Sequence, residues 1–198
     1  MQVSGTKISA LAVLAAALVP VAAHAKPPKG DVLQIDIEAK IGQRCGIAAL
    51  GAKTNDSGRI DQATRIAFNF TLDCNTSFKI GVAAQHGGLQ LARTTTPQQG
   101  ANGFAYRKAY VAGLQFNTDQ AGTIAAGECG SASLLAVNAT CRFYGAEPGS
   151  GLYSGRDITA VGREGELTVS WSGEDAESTR LAAGSYQETL TIIVAPST

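Results

Sequence analysis

Apolar and polar residues alternate along much of this chain with a period of two. Leu33, Ile35, Ile37, Ala39 and Ile41 are interleaved with Gln34, Asp36, Glu38 and Lys40. Ile66, Phe68, Phe70, Leu72 and Cys74 alternate with Ala67, Asn69, Thr71 and Asp73, and Phe78, Ile80 and Val82 resume the pattern after a short turn. Tyr110, Ala112, Leu114 and Phe116 form a further run, as do Leu135, Val137, Ala139, Cys141 and Phe143. Leu167, Val169 and Trp171 follow, and the last run is Tyr186 with Leu190, Ile192 and Val194. Successive side chains of a strand point to opposite faces, so this period predicts strands with one buried face.

The spacers are turn-like. Gly46 to Gln62 is a long polar connection, His86-Gly87-Gly88 punctuates the middle, and Thr94 to Gly103 carries Pro97. Glu147 to Gly155 holds Pro148 and several glycines, and Ser172 to Thr179 is acidic. About seven strands separated by such breakers predict an all-β sandwich. Asp119 to Ala126 suits a turn, and no internal repeat or domain linker interrupts the pattern.

The N-terminus departs from this pattern. Lys7 precedes an apolar run from Ile8 to Val19, which Pro20 breaks before Ala23-His24-Ala25. A positive start, a short apolar stretch and a small-x-small site are the marks of a secretory signal. The run is too short to span about 30 Å of hydrocarbon. Residues 1–25 are therefore expected to be removed, leaving residues 26–198 as a single domain. The whole chain has 16 basic and 16 acidic residues. Such a balance, with charges scattered, lacks the electrostatic footprint of a nucleic-acid binder.

Export changes the meaning of the cysteines. Cys45, Cys74, Cys129 and Cys141 all follow the signal. An even number in an exported chain favours disulfides, and four cysteines allow 3 pairings. The sequential pairing, Cys45–Cys74 and Cys129–Cys141, is expected because each pair flanks one strand-and-turn unit. A zinc site would need close ligand pairs such as Cys-x-x-Cys, and the chain has none.

Candidate chemistry is sparse. His86 is the one histidine beyond the signal. It cannot build a multi-histidine metal site, and beside Gly87-Gly88 it is expected to be an exposed turn residue. Asn55 to Asp61 is rich in oxygen ligands but lacks the spacing of a calcium loop, so a solvated loop is expected. Sequons at Asn69, Asn75 and Asn138 are read as chance, two of them falling in predicted strands. No catalytic site, cofactor site or metal site is expected, and the chain is not expected to be an enzyme.

Two segments carry a resemblance. Leu181-Ala-Ala-Gly-Ser-Tyr-Gln-Glu-Thr-Leu-Thr-Ile-Ile-Val194 is similar to the Gly-x-Tyr-x-Asp/Glu-Thr terminal strand of chaperone–usher pilins. The nearest group is the spore coat protein U-like, archaic (Csu-type) fimbrial family. Cys45, after an alternating segment, and Leu72-Asp73-Cys74-Asn75, at the end of the next strand, resemble the placement of the disulfide that pilins share. Phe78-Lys79-Ile80-Gly81-Val82 and Gly87-Gly88-Leu89 also fit, and Leu114 to Asp119 resembles the middle Leu-Tyr-x-Asp stretch. The Trp-Gly usual after that stretch is missing, and Cys129–Cys141 would be an additional bridge.

The resemblance implies an immunoglobulin-like sandwich that lacks its own last strand. The final strand would then border an uncovered apolar groove, with Tyr186, Leu190, Ile192 and Val194 as acceptor candidates. Leu33, Ile35, Ile37 and Ile41 would be donor-strand candidates, filling the groove of a neighbouring subunit. The implied partners are a periplasmic chaperone, an outer-membrane usher and neighbouring pilin subunits. The implied destination is a fimbria on the cell surface. On the residues alone, Leu33 to Ile41 serves equally as the first strand of a complete sandwich, and the chain would then be a self-contained secreted binding module.

Overall fold

The structure, a computed structural model, describes residues 35–92, 103–173 and 180–197. The chain divides into two units, Met1–Lys40 and Ile41–Thr198. In the second, eleven strands follow in order: β1 (Ile47–Leu50), β2 (Thr64–Cys74), β3 (Phe78–Ala84), β4 (Leu89–Leu91), β5 (Arg107–Lys108), β6 (Val111–Asn117), β7 (Thr123–Gly130), β8 (Leu152–Tyr153), β9 (Ala160–Trp171), β10 (Tyr186–Gln187) and β11 (Leu190–Pro196). One sheet has the order β1-β2-β9-β6-β7. The opposing layer is made of two three-stranded pieces, β11-β3-β8 and β10-β4-β5. Every pairing within these sheets is antiparallel.

The predicted all-β sandwich is what forms. On β2 the alternation resolves as expected, with Phe70, Leu72 and Cys74 buried and Arg65, Asn69 and Asp73 exposed. Phe78, Ile80 and Val82 of β3 are fully buried. Across the layers the rings of Phe78 and Phe116 lie 5.6 Å apart, within the range of favourable aromatic pairs. Leu114, Leu167, Val169 and Trp171 complete the core from β6 and β9. The longer strands follow the constant-type immunoglobulin order: A-B-E-D as β1-β2-β9-β6, and C-F as β3-β11. Among the described residues, no strand stands in the G position beside β11.

β9 begins at Ala160, well before the run recognised in the sequence. Its first half hides the period for two local reasons. Gly165 pairs with Phe70 on one side and Phe116 on the other, and a Cβ there would strike the Phe70 ring. An inward position is thus occupied by glycine so that aromatic rings can lie across it. Gly162, at φ 63°, is the extra residue of a bulge where the register shifts between Leu72 and Asp73.

Two expected strands do not form. In Leu135 to Phe143 a short 3₁₀ turn, Ala136–Asn138, stands in place of the first part of a strand, directly after another, Ser131–Leu134. Leu134 is fully buried whereas Val137 is 84% exposed, so the apolar alternation there marks no buried face. Only Cys141, Phe143 and Gly145 regain an inward alternation, beside β3. Residues 35–41 carry no strand either. Ile35, Ile37 and Ile41 are exposed, and alternation makes a strand only when a partner ladder and a covering layer are present. Leu33 lies outside the described residues.

The disulfides are Cys45–Cys74 and Cys129–Cys141, as the sequential pairing expected. The first joins the chain just before β1 to the end of β2. The second ties β7 to the connection that returns along β3.

Candidate functional site

The most distinctive surface lies between two sheet edges. β11 pairs with β3 over residues 190–196 and, among the described residues, with nothing on its other side. β1 is likewise the last strand of its sheet. The two edges belong to the same flank of the sandwich. On the side of β3 away from β11, Phe143 O accepts from Val82 N at 2.8 Å and Gly145 N donates to Val82 O at 3.2 Å. That segment is bridged through Cys141 to Cys129 on β7, at the opposite end of the first sheet from β1. β11 therefore lies on the β1 side.

Register shows which side chains face inward there. Ile192 stands opposite Val82, Val194 opposite Ile80 and Leu190 opposite Ala84. Directly paired residues share a face, and Ile80 and Val82 are core, so Leu190, Ile192 and Val194 point into the sandwich. They pack against the core but stay only half-buried. In the first sheet, Ile47 pairs with Leu72 and Ala49 with Phe70, so they too face inward. Ile47 is nevertheless 36% exposed. β1 stops opposite Asn69, and beyond it the inward-facing Ile66 and Phe68 of β2 are half-buried. The result is an apolar groove with walls from β1 and β11, bordered by backbone N–H and C=O groups that find no strand partner among the described residues. Such an edge is a template for an added strand, whose alternate side chains would fill the groove.

Tyr186, read with this strand, has a different place. Glu188 and Thr189 interrupt the final run, so Tyr186 belongs to β10 and pairs with Leu91 of β4. Its hydroxyl donates towards the carbonyls of Ala182 at 2.8 Å and Ala105 at 3.2 Å, pinning two chain segments together. Of the acceptor candidates, the structure thus brings Leu190, Ile192 and Val194 into the groove and leaves Tyr186 outside its β11 wall.

Glu188 explains the interruption. Its side chain is only 5% exposed. The carboxylate accepts from His86 N at 3.0 Å, Gly88 N at 2.9 Å and Thr189 N at 2.8 Å. It therefore supplies an acceptor to the bend joining β3 to β4, where strand pairing is broken. His86, expected to be exposed, is half-buried because this bend folds onto Glu188; its Nδ1 stands 3.3 Å from Glu188 Oε1, without hydrogen-bond geometry. Burial, and after it the Glu188 charge, holds the Tyr110 hydroxyl well above the ordinary tyrosine pKa.

The Asn55–Asp61 loop satisfies itself: Asp56 accepts from Gly58 N at 2.9 Å, and Arg59 pairs with Asp61. Among the described residues, no three His, Cys, Asp or Glu side chains group as metal ligands would. Among them also, no helix is long and apolar enough to cross a membrane. Ile47 and Ala49 fall at the start of the polar Gly46 to Gln62 connection, where the sequence predicts no strand. Their one sequence signal is the continuation of alternation across Cys45, Ile47 and Ala49. No protein-family model matches the chain, and no curated protein matches it either.

Proposed function

We propose that this chain is a structural subunit of a bacterial surface fimbria or coat-like fibre, assembled by strand donation between subunits. The observation that carries the proposal is the open apolar groove beside β11, with Leu190, Ile192 and Val194 facing it from one wall and Ile47 from the other. Its occupant is an extended segment with apolar residues at alternate positions. Leu33, Ile35, Ile37 and Ile41 of a neighbouring copy supply that pattern, with small Ala39 between them. Ile35, Ile37 and Ile41 are exposed, as donor residues awaiting a partner would be. An unfilled groove keeps apolar surface wet and backbone groups unpaired, so the lone subunit needs a periplasmic chaperone until an outer-membrane usher passes it to its neighbour. The secretory signal and the disulfides fit that route.

The test is expression of the exported chain with and without a cognate chaperone, followed by sizing. Strand donation requires a soluble one-to-one complex with the chaperone, and aggregation or concatenation without it. A stable, soluble monomer obtained alone refutes the proposal and favours the self-contained binding module.

A further inference from the structure

The proposed donor arm is attached to the same chain that carries the groove, so donation to a neighbour must compete with insertion into its own. Five residues, Gly42-Gln43-Arg44-Cys45-Gly46, separate Ile41 from Ile47. That length, with a glycine at each end, suits a hairpin loop that would lay the arm back beside β1. Neither glycine is needed for the course observed: neither has a positive φ, and a Cβ on either would meet nothing within 4 Å.

The chain at this point runs straight on from β1. Gly46 N donates to Asp73 O at 3.2 Å and Asp73 N to Gly46 O at 3.0 Å, and Asn75 N donates to Arg44 O at 3.2 Å. The backbone after Asn75 then turns towards β3. The Asn75 side chain continues the ladder in its place: Oδ1 accepts from Arg44 N at 2.8 Å, and Nδ2 donates to Gly42 O at 3.0 Å. One carboxamide thus imitates one further peptide group of β2. Arg44 adds an ion pair to Asp73, with Nε 3.3 Å from Oδ2.

We propose that Asn75 is a positioning residue that holds residues 42–44 in line with β1, prevents the arm from folding back into its own groove, and so commits it to another copy of the chain. This inference rests on the strand-donation reading. A reversal within residues 42–46 must break both side-chain bonds of Asn75, whereas donation to a neighbour leaves them intact.

The experiment refolds the exported chain, residues 26–198 with both disulfides intact, over a dilution series. Light scattering after size exclusion gives the monomer fraction, and mass spectrometry gives hydrogen exchange over residues 33–41. Two variants are compared with the wild type. Asn75→Ala removes both bonds. Asn75→Asp is nearly isosteric, keeps an acceptor for Arg44 N and sets an oxygen against Gly42 O, which guards against a simple failure to fold. The wild type is expected to form multimers in which residues 33–41 exchange slowly. Both variants should raise the monomer-to-multimer ratio roughly tenfold, the factor for losing an amide's hydrogen bonds. In those monomers residues 33–41 should still exchange slowly, which a merely weakened fold does not produce. A wild-type monomer fraction in both variants, or fast exchange over 33–41 in the variant monomers, overturns the role of Asn75 alone. Fast exchange in wild-type multimers, or a wild type that stays monomeric, overturns strand donation and this role with it.

Discussion

Replacing Glu188 with alanine removes a buried acceptor at the place where the second layer changes from β3 and β11 to β4 and β10. Three backbone N–H groups donate to its carboxylate, from His86, Gly88 and Thr189. Thr189 is exposed and its N–H can turn to water, so the loss falls on His86 and on the buried Gly88. Hydrogen bonds to a charged acceptor contribute about 1.5–3 kcal/mol each, and the carboxylate's own desolvation offsets part of that. The net loss for Glu188→Ala is therefore about 3 kcal/mol. Glu188→Gln keeps one acceptor oxygen and sets an amide N–H₂ against the other donors, so it should lose about half as much. Equilibrium urea unfolding at matched protein concentration measures both values, because association would otherwise shift the midpoint. Hydrogen exchange at Gly88 should accelerate in step. A loss below about 1 kcal/mol for the alanine variant, or equal losses for the two, refutes the assignment of Glu188 as the acceptor of this bend.

Asp119 offers a pH test. Hydrogen bonds from Thr159 and then Arg163 hold its carboxyl below the usual carboxylate range. A depressed folded pKa stabilises above the unfolded value of about 3.9, and the contribution is lost as pH falls towards the folded value. Urea midpoints taken from pH 6 downwards should show this acid loss in the wild type and a shallower one in Asp119→Asn. Tyr110 acts at the other end of the scale: its folded pKa is raised, so stability should fall as pH rises past about 10, and its absorbance should change only on unfolding. Among the described residues its buried hydroxyl has no hydrogen-bond partner, so Tyr110→Phe should stabilise by about 1 kcal/mol in the same urea assay. Phe116→Ala should destabilise by about 3–5 kcal/mol, because the ring is almost fully buried against Phe78.

The sandwich was legible where a strand is long and has one face in the core, as in β2, β3, β6 and β11. It was illegible where a strand buries little or where glycine serves the core. β1 has four residues, all exposed. β7 is an edge strand with one buried residue, Ala126, so its alternation carries almost no apolar signal. The first half of β9 conceals its period behind Gly165 and the Gly162 bulge. Leu135 to Phe143 fails in the opposite sense, because alternation in composition there is unaccompanied by a ladder. One wall of the groove, Leu190, Ile192 and Val194, could be read directly, since its residues carry a period of two. The opposite wall could not, because it depends on which strand ends each sheet, and strand order is a property of the folded chain. The break at Glu188 was equally hidden, since an acid between two apolar runs looks like any solvent-facing strand residue.

The Cys45–Cys74 bridge has a mechanical consequence. Tension applied to the residues before Cys45 does not fall on the four residue pairs of β1 alone. The bridge passes the load directly to Cys74, at the end of the eleven-residue β2, which is laddered to β9 along its length. β2 is then pulled along its own axis, so its hydrogen bonds to β9 resist together in shear. The force reaches the longest pairing in the domain, and the short ladder of β1 is bypassed.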